Sequence, residues 1–241
     1  MLYQFIKMSQ RNFIEEIEDY QSRLTSDNPR TELARQRTAE LFASYNFIND
    51  AILNYEANFD FDFNTNEKKE VLKYYPLGIV ASIQGYFKLA IKDLIETGDP
   101  FKSNAANFER ELKDLSIEEI LAIEDKRLST ADFVSHLVNL NSMNKINDAM
   151  NRLSDVEEDF FDIIKASRVY FRYDNNRKEY KDEANDIFKS LYKVFRLRNI
   201  IAHEVTADLE VFKSNLKKYI IHADLFLYAC ENEIFRSNKL C

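Results

Sequence analysis

Glycine and proline are scarce in this chain of 241 residues, which contains only three of each. β-Sandwiches and dinucleotide-binding α/β domains usually place glycine at many turns, so this scarcity counts against both classes. Long helices joined by short polar loops need few of either residue. Apolar residues make up 45% of the chain, which is normal for a folded globule. The composition therefore favours an all-α fold, and the patterns along the chain predict a bundle of long antiparallel helices with an insert of short helices.

Long apolar runs are also missing, because no stretch reaches the 18 or so residues that a membrane-spanning helix needs. The first twenty residues contain acids and lack the apolar core of a secretory signal. The two cysteines, Cys230 and Cys241, are too few for a disulfide framework or a zinc site. We therefore expect a cytoplasmic protein with no membrane segment, no metal and no cofactor.

An excess of basic residues, which whole-surface nucleic-acid binders usually have, is absent as well. Lysine and arginine number 33 against 41 aspartates and glutamates, which gives a net charge of −8. Any binding of phosphate must therefore come from a local cationic patch.

The spacing of apolar residues predicts one compact domain over residues 1–241, without repeats or a flexible linker. Residues 1–57 are expected to form a hairpin of two long helices, broken at the Ser26–Arg30 segment. Residues 58–66 alternate phenylalanine and aspartate and are expected to form a loop. A central buried helix follows, with Pro76 in its first turn, where a missing N–H is tolerated.

This central helix should end at Gly98-Asp99-Pro100, since these residues favour turns. Its burial is predicted from two adjacent apolar stripes. The stripes consist of Ile79, Ile83, Tyr86 and Ala90, and of Val80, Phe87, Ile91 and Leu94.

Residues 103–155 are expected to form an insert of short helices, because two capping-box spacings mark helix starts there. These are Ser116 with Glu119, and Ser129 with Asp132. A further helix is expected over about residues 154–170, followed by a loop from Phe171. The last two helices are expected within residues 179–236, at about residues 180–203 and 208–236.

The first of these two helices contains an arginine on an apolar stripe. Ile187, Leu191, Val194, Arg198 and Ile201 recur at steps of four and three. A guanidinium at such a place needs a partner or a route to water. Asn199 and His203 share another face of the helix. Arg198 and His203 lie about 140° apart around a straight helix, so they converge only near its end or across an interface with a second copy.

The segment Arg198-Asn199-Ile200-Ile201-Ala202-His203 resembles the Arg-x4-His motif of the HEPN superfamily. Its flanks, FRLRNIIAHE, and the final amphipathic helix after it are similar to that family too. The segment Ala81–Phe87 is similar to the central helix of bacterial defence-type members. The resemblance covers about residues 70–236. Some members are silenced by nucleotide transfer onto a tyrosine two residues after the histidine, whereas Glu204-Val205 stands here.

The resemblance implies a metal-independent endoribonuclease of toxin or antiviral-defence type. It implies a homodimer with two motifs at one cleft, RNA as the substrate, and a neutralising or regulatory protein partner. Attack of the ribose 2′-OH on the adjacent phosphate would leave a 2′,3′-cyclic phosphate, so DNA should resist cleavage. His203 is assigned as general acid or base. Arg198 is assigned to phosphate stabilisation and Asn199 to orienting the histidine or the phosphate.

Other patterns have both a functional and a structural interpretation. Lys193 and Arg196, with Lys189, can supply a positive field for RNA or merely solvate the helix. Arg172 and Arg177, interleaved with aromatic residues, can bind RNA, although a solvated helix end is the favoured interpretation. Three further residues lie in apolar runs, and the histidines among them are interpreted as satisfied core or interface residues, the cysteine as an inert core residue. They are His136, His222 and Cys230.

Two alternatives to the nuclease remain open. A catalytically silent HEPN-like module would bind a protein or RNA and dimerise through the same helix, with the motif covered. A purely structural bundle would pair Arg198 internally and keep His203 away from any groove. The nuclease requires both residues in an accessible cleft together with their symmetry mates.

Overall fold

A computed structural model describes residues 65–108, 129–173, 176–203 and 213–236 of the chain. Side chains are described for residues 72–108, 129–171, 178–202 and 215–235. The predicted N-terminal hairpin and the Ser116–Glu119 capping box lie outside the described residues. The same holds for the predicted loop up to residue 64.

The described residues are predominantly helical, so the predicted all-α class is confirmed. The helices are α1 (Thr65–Thr97), α2 (Phe101–Asn104), α3 (Thr130–Leu137), α4 (Met143–Leu153), α5 (Phe160–Lys165), α6 (Tyr180–His203) and α7 (Lys213–Glu231). A 3₁₀ turn (Ala105–Phe108) follows α2, and a π-helical turn (Asn232–Arg236) follows α7. A small antiparallel sheet of β1 (Tyr170–Tyr173) and β2 (Asn176–Glu179) precedes α6. None of the described helices is both long and apolar enough for a membrane crossing.

Helix α1 is the central buried helix that its two apolar stripes predict. Ile79, Ile83 and Phe87 are fully buried, and α1 contacts α3, α6 and α7. The helix ends before Gly98, whose φ of +106° lies in the left-handed region. Glycine takes this conformation without the steric cost that a Cβ brings, which explains the predicted stop.

Pro76 corrects one prediction, because it lies well inside α1 and not in its first turn. The predicted loop also ends earlier than expected, since α1 begins at Thr65. A proline inside a helix removes a backbone hydrogen bond and typically costs about 3 kcal/mol. Tyr75 before it and Ile79 after it are both buried. Tertiary packing on either side of the proline therefore outweighs the local preference to begin a helix there.

Helix α3 begins with the predicted capping box. The hydroxyl of Ser129 accepts a hydrogen bond from the backbone N–H of Asp132 at 3.1 Å. The carboxylate of Asp132 accepts one from the backbone N–H of Ser129 at the same distance. Asp132 also forms a 2.6 Å ion pair with Lys92 of α1. The cap thus both starts α3 and attaches it to the central helix.

The helix predicted over residues 154–170 is much shorter, because α5 spans only Phe160–Lys165. Asp159 caps its start, and the side-chain amides of Asn147 and Asn151 donate to the Asp159 carboxylate at 2.7 and 2.9 Å. These asparagines belong to α4, so a polar network from another helix fixes the place where α5 begins.

The segment predicted as a loop from Phe171 is a β-hairpin. Tyr170 pairs with Glu179, and Tyr173 pairs with Asn176. Helix α6 follows at once, and the N–H of Tyr180 donates to the carbonyl of Val169 at 2.8 Å. The hairpin therefore ties the start of α6 to the end of α5.

Four phenylalanines join α1, α5, α6 and α7 in one core. The rings of Phe161 and Phe188 meet edge to face with centroids 4.9 Å apart. Phe226 contacts both rings and also Phe87. Such pairs contribute about 0.5–1.5 kcal/mol beyond their burial. The core holds α6 in place, with the predicted boundaries Tyr180–His203.

Candidate active site

The end of α6 carries Arg198 where an apolar stripe reaches the surface. Ile187, Leu191 and Val194 are fully buried along this stripe. The next two members, Arg198 and Ile201, are only half-buried. The predicted stripe is therefore confirmed, and the half-exposed position gives the guanidinium its route to water.

Arg198 has a neutral hydrogen-bond partner. Its Nη1 donates to Oδ1 of Asn199 at 3.0 Å. Among the side chains that the structure describes, no carboxylate forms an ion pair with Arg198. A guanidinium carries five N–H donors, and the bond to Asn199 uses one of them. The bond thus orients the guanidinium, and none of the described carboxylates pairs with its charge.

His203 is the last residue of α6, one turn after Asn199. Its side chain lies outside the described residues, so the structure places its backbone alone. The predicted trio of Arg198, Asn199 and His203 therefore shares one helix end, and the contact between Arg198 and Asn199 is the one seen directly.

Three exposed cations form a basic ridge along α6, made of Lys189, Lys193 and Arg196. They are spaced by four and three residues and so lie on one side of the helix. From residue 187 to residue 203 the sequence of α6 contains no aspartate or glutamate. Arg196 and Arg198 are about 160° apart around the helix axis. The basic ridge and the guanidinium of Arg198 consequently lie on different sides of α6.

The two arginines proposed as weaker RNA contacts lie on the hairpin. Arg172 on β1 and Arg177 on β2 are register partners, and their side chains lie outside the described residues. Beside them, Tyr170 is exposed, while Phe171 packs partly against the core. The structure thus has a pair of strands where a helix end was predicted, and the backbones of Arg172 and Arg177 lie opposite one another.

The two remaining histidines are at least partly buried, as their apolar surroundings predict. His136 is half-buried, and burial, followed by the charge of Lys88, lowers its pKa to about 4. His222 is buried, and among the described residues its Nδ1 has no hydrogen-bond partner. Burial, followed by the charge of Lys218, lowers the pKa of His222, while a hydrogen bond with the backbone of Asp186 opposes that shift. The predicted burial of His222 is therefore confirmed, and its ring is satisfied in part.

Cys230 belongs to the fully buried core, as predicted. Burial, with the neighbouring charge of Glu231, raises the pKa of its thiol well above the usual value. The thiol is therefore protonated at neutral pH.

A cavity of about 380 Å³ between the hairpin, α6 and α7 was not predicted from the sequence. His222 lines it together with Phe171 of β1 and Asp186 of α6. The adjacent lysines Lys217 and Lys218 on α7 are the signal present in the sequence. These lysines indicate a cavity only when the hairpin and both helices are packed together, so the sequence alone does not reveal it.

Comparisons with known proteins give no relative, since no protein-family model, no curated protein and no solved structure matches this chain. Within the described residues, no group of three or more histidine, cysteine, aspartate or glutamate side chains is placed to hold a metal ion.

Proposed function

We propose that this protein is a metal-independent endoribonuclease of toxin or antiviral-defence type, acting as a homodimer at the Arg198–His203 segment. The observation that carries the proposal is the charge of Arg198, half-buried and bonded to the neutral side chain of Asn199. Partial desolvation of a charge without an opposite charge costs free energy. A bound phosphate supplies that opposite charge, and a planar guanidinium matches its geometry.

The reaction uses the RNA's own 2′-OH as the nucleophile. Its oxygen bonds to the adjacent phosphorus while the bond from phosphorus to the 5′ oxygen breaks. A base takes the proton of the 2′-OH, and an acid gives one to the leaving 5′ oxygen. Imidazole titrates near pH 6.5, so His203 is suited to either role. Arg198 stabilises the negative charge that develops on the phosphoryl oxygens.

A second copy of the chain completes the site in this proposal. Arg198 and His203 are about 140° apart around the helix, and one imidazole cannot serve both the attacking and the leaving oxygen at once. The end of α6 also presents half-buried apolar side chains beside Arg198, namely Leu197, Ile200 and Ile201. Such side chains are suited to the apolar centre of an isologous dimer contact.

The basic ridge supplies the local field that a protein of net charge −8 needs at an RNA site. Lys189, Lys193 and Arg196 are exposed and contact backbone phosphates in this proposal, without reading sequence. Arg172 and Arg177, whose backbones lie on the hairpin, are proposed as further and weaker RNA contacts. An RNA-cleaving toxin works in the cytoplasm, and a neutralising protein partner belongs to the same proposal.

The test is RNA cleavage in the presence of EDTA. The wild type is compared with Arg198→Ala and His203→Ala, and with Lys145→Ala as a control for an exposed cation on α4. We expect cleavage by the wild type and the control, with a loss of about 10²–10³-fold in both site variants. Products should end in a 2′,3′-cyclic phosphate, and DNA of the same sequence should remain intact. Equal activity in all four proteins would contradict the proposal.

The apolar end of α6 also favours a second candidate, a silent dimerisation module that binds a protein or RNA. Sedimentation of the wild type and of Ile200→Asp separates the two candidates. A dimer that Ile200→Asp dissociates, in a protein that leaves RNA intact, favours the silent module. Cleavage that disappears together with the dimer favours the nuclease.

A further inference from the structure

The cavity beside His222 is built by three elements that lie far apart in the sequence. Its volume of about 380 Å³ is within the range of small-molecule sites, about 300–1,000 Å³. Strand residues Phe171 and Lys178 form one side, and the first two turns of α6 form another. Helix α7 closes it with polar and apolar side chains in the middle of its length. The cavity lies about 18 Å along α6 from Arg198, which is 12 residues beyond Asp186.

Three lysines and two acids line the cavity, which gives its lining a net positive charge. Lys218 is paired with Asp186 at 2.5 Å, and Lys178 is paired with Glu183 at 2.6 Å. Both acids are therefore engaged. Lys217 is exposed at the cavity and has no acidic partner among the described side chains. An incoming anion thus meets the ammonium group of Lys217 beside two lysine–carboxylate pairs whose charges cancel.

His222 adds a polar side chain to this wall. The residue is nine-tenths buried, and among the described residues its Nδ1 has no hydrogen-bond partner. Nδ1 is itself closed off from solvent, so the imidazole contributes polarity to the wall while this nitrogen stays out of a ligand's reach.

The remaining lining is apolar and includes an aromatic ring. Phe171, Ile221 and Leu225 are half-buried and line the same cavity. An aromatic side chain provides a stacking surface for a nucleobase, whichever base it is. A cavity with an exposed lysine, a polar imidazole and an apolar wall suits a ligand that combines a phosphate with an aromatic base.

We propose that this cavity binds a phosphorylated nucleoside, with its phosphate at Lys217 and its base against Phe171. The ligand is either a free mononucleotide or the 5′-phosphorylated end of an RNA. The basic ridge begins at Lys189, three residues after Asp186, so a strand following the ridge can reach the cavity. A mononucleotide there does not reach Arg198, and the inference does not depend on nuclease activity.

Calorimetric titration of the full chain tests the site with three probes: AMP, adenosine and inorganic phosphate. Lys217→Gln should weaken AMP binding about 10-fold, because a hydrogen bond to a charged group is removed, and should leave adenosine binding unchanged. Phe171→Leu should weaken both AMP and adenosine. Lys145→Gln, an exposed lysine on α4, is the matched control and should bind AMP as the wild type does.

A 5′-phosphorylated tetranucleotide, titrated into Arg198→Ala to prevent cleavage, identifies the source of the ligand. Competition with AMP assigns the cavity to an RNA end, whereas AMP binding without competition assigns it to a free nucleotide. The inference is overturned if AMP does not bind at millimolar concentration. It is equally overturned if Lys217→Gln and Lys145→Gln bind AMP alike.

Discussion

The guanidinium of Arg198 is hydrogen-bonded to the side-chain amide of Asn199, the next residue in the chain, over 3.0 Å. Adjacent residues on a helix point about 100° apart, so this bond bridges the face of Arg198 and the face of Asn199. The backbone of His203 lies on the face of Asn199, one turn later. The bond therefore connects the arginine to the helix face that carries the histidine.

The first prediction concerns Asn199. Asn199→Asp replaces the amide with a carboxylate, which pairs with Arg198 and cancels its charge. We expect the cleavage rate to fall about 10²-fold, close to the effect of Arg198→Ala. Asn199→Ala removes the orienting bond and leaves the charge, so a smaller loss of about 10-fold is expected. Single-turnover cleavage with excess protein measures both rates. Wild-type activity in Asn199→Asp would show that the charge of Arg198 is not used.

The second prediction separates binding from chemistry on the same helix. Lys193→Gln with Arg196→Gln removes two cations of the basic ridge on the side of α6 away from Arg198. Affinity for RNA should fall, and the slope of log affinity against log salt should decrease by about 0.7 for each phosphate that the protein no longer neutralises. The cleavage rate at saturating protein should stay unchanged. Fluorescence anisotropy at several salt concentrations measures the slope.

Arg198→Ala is the counterpart to that double variant. It should lower the saturated cleavage rate and change the salt slope by no more than about 0.7, the value for a single phosphate. Both variants could instead change the saturated cleavage rate and the salt slope in the same proportion. That result would contradict the assignment of RNA binding to the basic ridge and of cleavage to Arg198.

The long helices were predictable because their apolar residues repeat over many turns. Helix α6 has the predicted boundaries, and α1 is buried along both predicted stripes. The hairpin was missed because strands of four residues are too short to show a clear period of two. Asp174-Asn175 between the strands is the local signal that favours a two-residue hairpin loop. The position of Pro76 within α1 was predicted wrongly. The prediction used the local preference of proline for a helix start, which takes no account of the tertiary packing on both sides of it.

One part of the candidate site was predictable from the sequence, and another part was not. The place of Arg198 on a stripe follows from spacing within one helix and was predictable. The cavity depends on Phe171, Asp186 and His222, which spacing along the chain cannot bring together. The ion pair between Asp186 and Lys218 joins residues 32 positions apart. This pair requires that its two helices lie side by side, and the phenylalanine cluster of the core holds them there.

The third prediction concerns the pH dependence of stability. The pKa of His136 is about 4 in the folded protein, below the value of about 6.5 expected in the unfolded chain. Between these values the unfolded state binds a proton that the folded state does not. The free energy of unfolding therefore falls as the pH falls from about 6.5 to 4. His136→Gln should remove about 1–2 kcal/mol of that fall, a value reduced for partial exposure.

Urea unfolding at pH 8, 6 and 4.5 measures this difference. At pH 8 the imidazole is neutral in both states, so any gap between the two proteins there reflects packing alone. Lys88 and Lys92 lower the pKa of His136, whereas Asp132 opposes them. The carboxylates titrate in both proteins. The difference between the two curves of unfolding free energy against pH therefore reports the histidine alone. Parallel curves from pH 8 to 4.5 would contradict the prediction.

The fourth prediction compares two buried tyrosines. Tyr180 is completely buried, and no group in the described part of the chain forms a hydrogen bond with its hydroxyl. Tyr86 is also buried, but its hydroxyl donates to Glu231 at 3.0 Å. Removing an unsatisfied hydroxyl relieves a desolvation cost, so Tyr180→Phe should stabilise the protein by about 1 kcal/mol. Tyr86→Phe takes a bond from a buried carboxylate and should destabilise it by about 1–3 kcal/mol.

Both substitutions remove a single oxygen and keep the ring, so each is the control for the other. Urea unfolding at pH 7 gives the two differences in the free energy of unfolding. Opposite signs are expected because the fate of the partner group decides the result, and the loss of the hydroxyl itself is common to both. A destabilisation by Tyr180→Phe as large as that by Tyr86→Phe would mean that the hydroxyl of Tyr180 has a partner, such as a buried water.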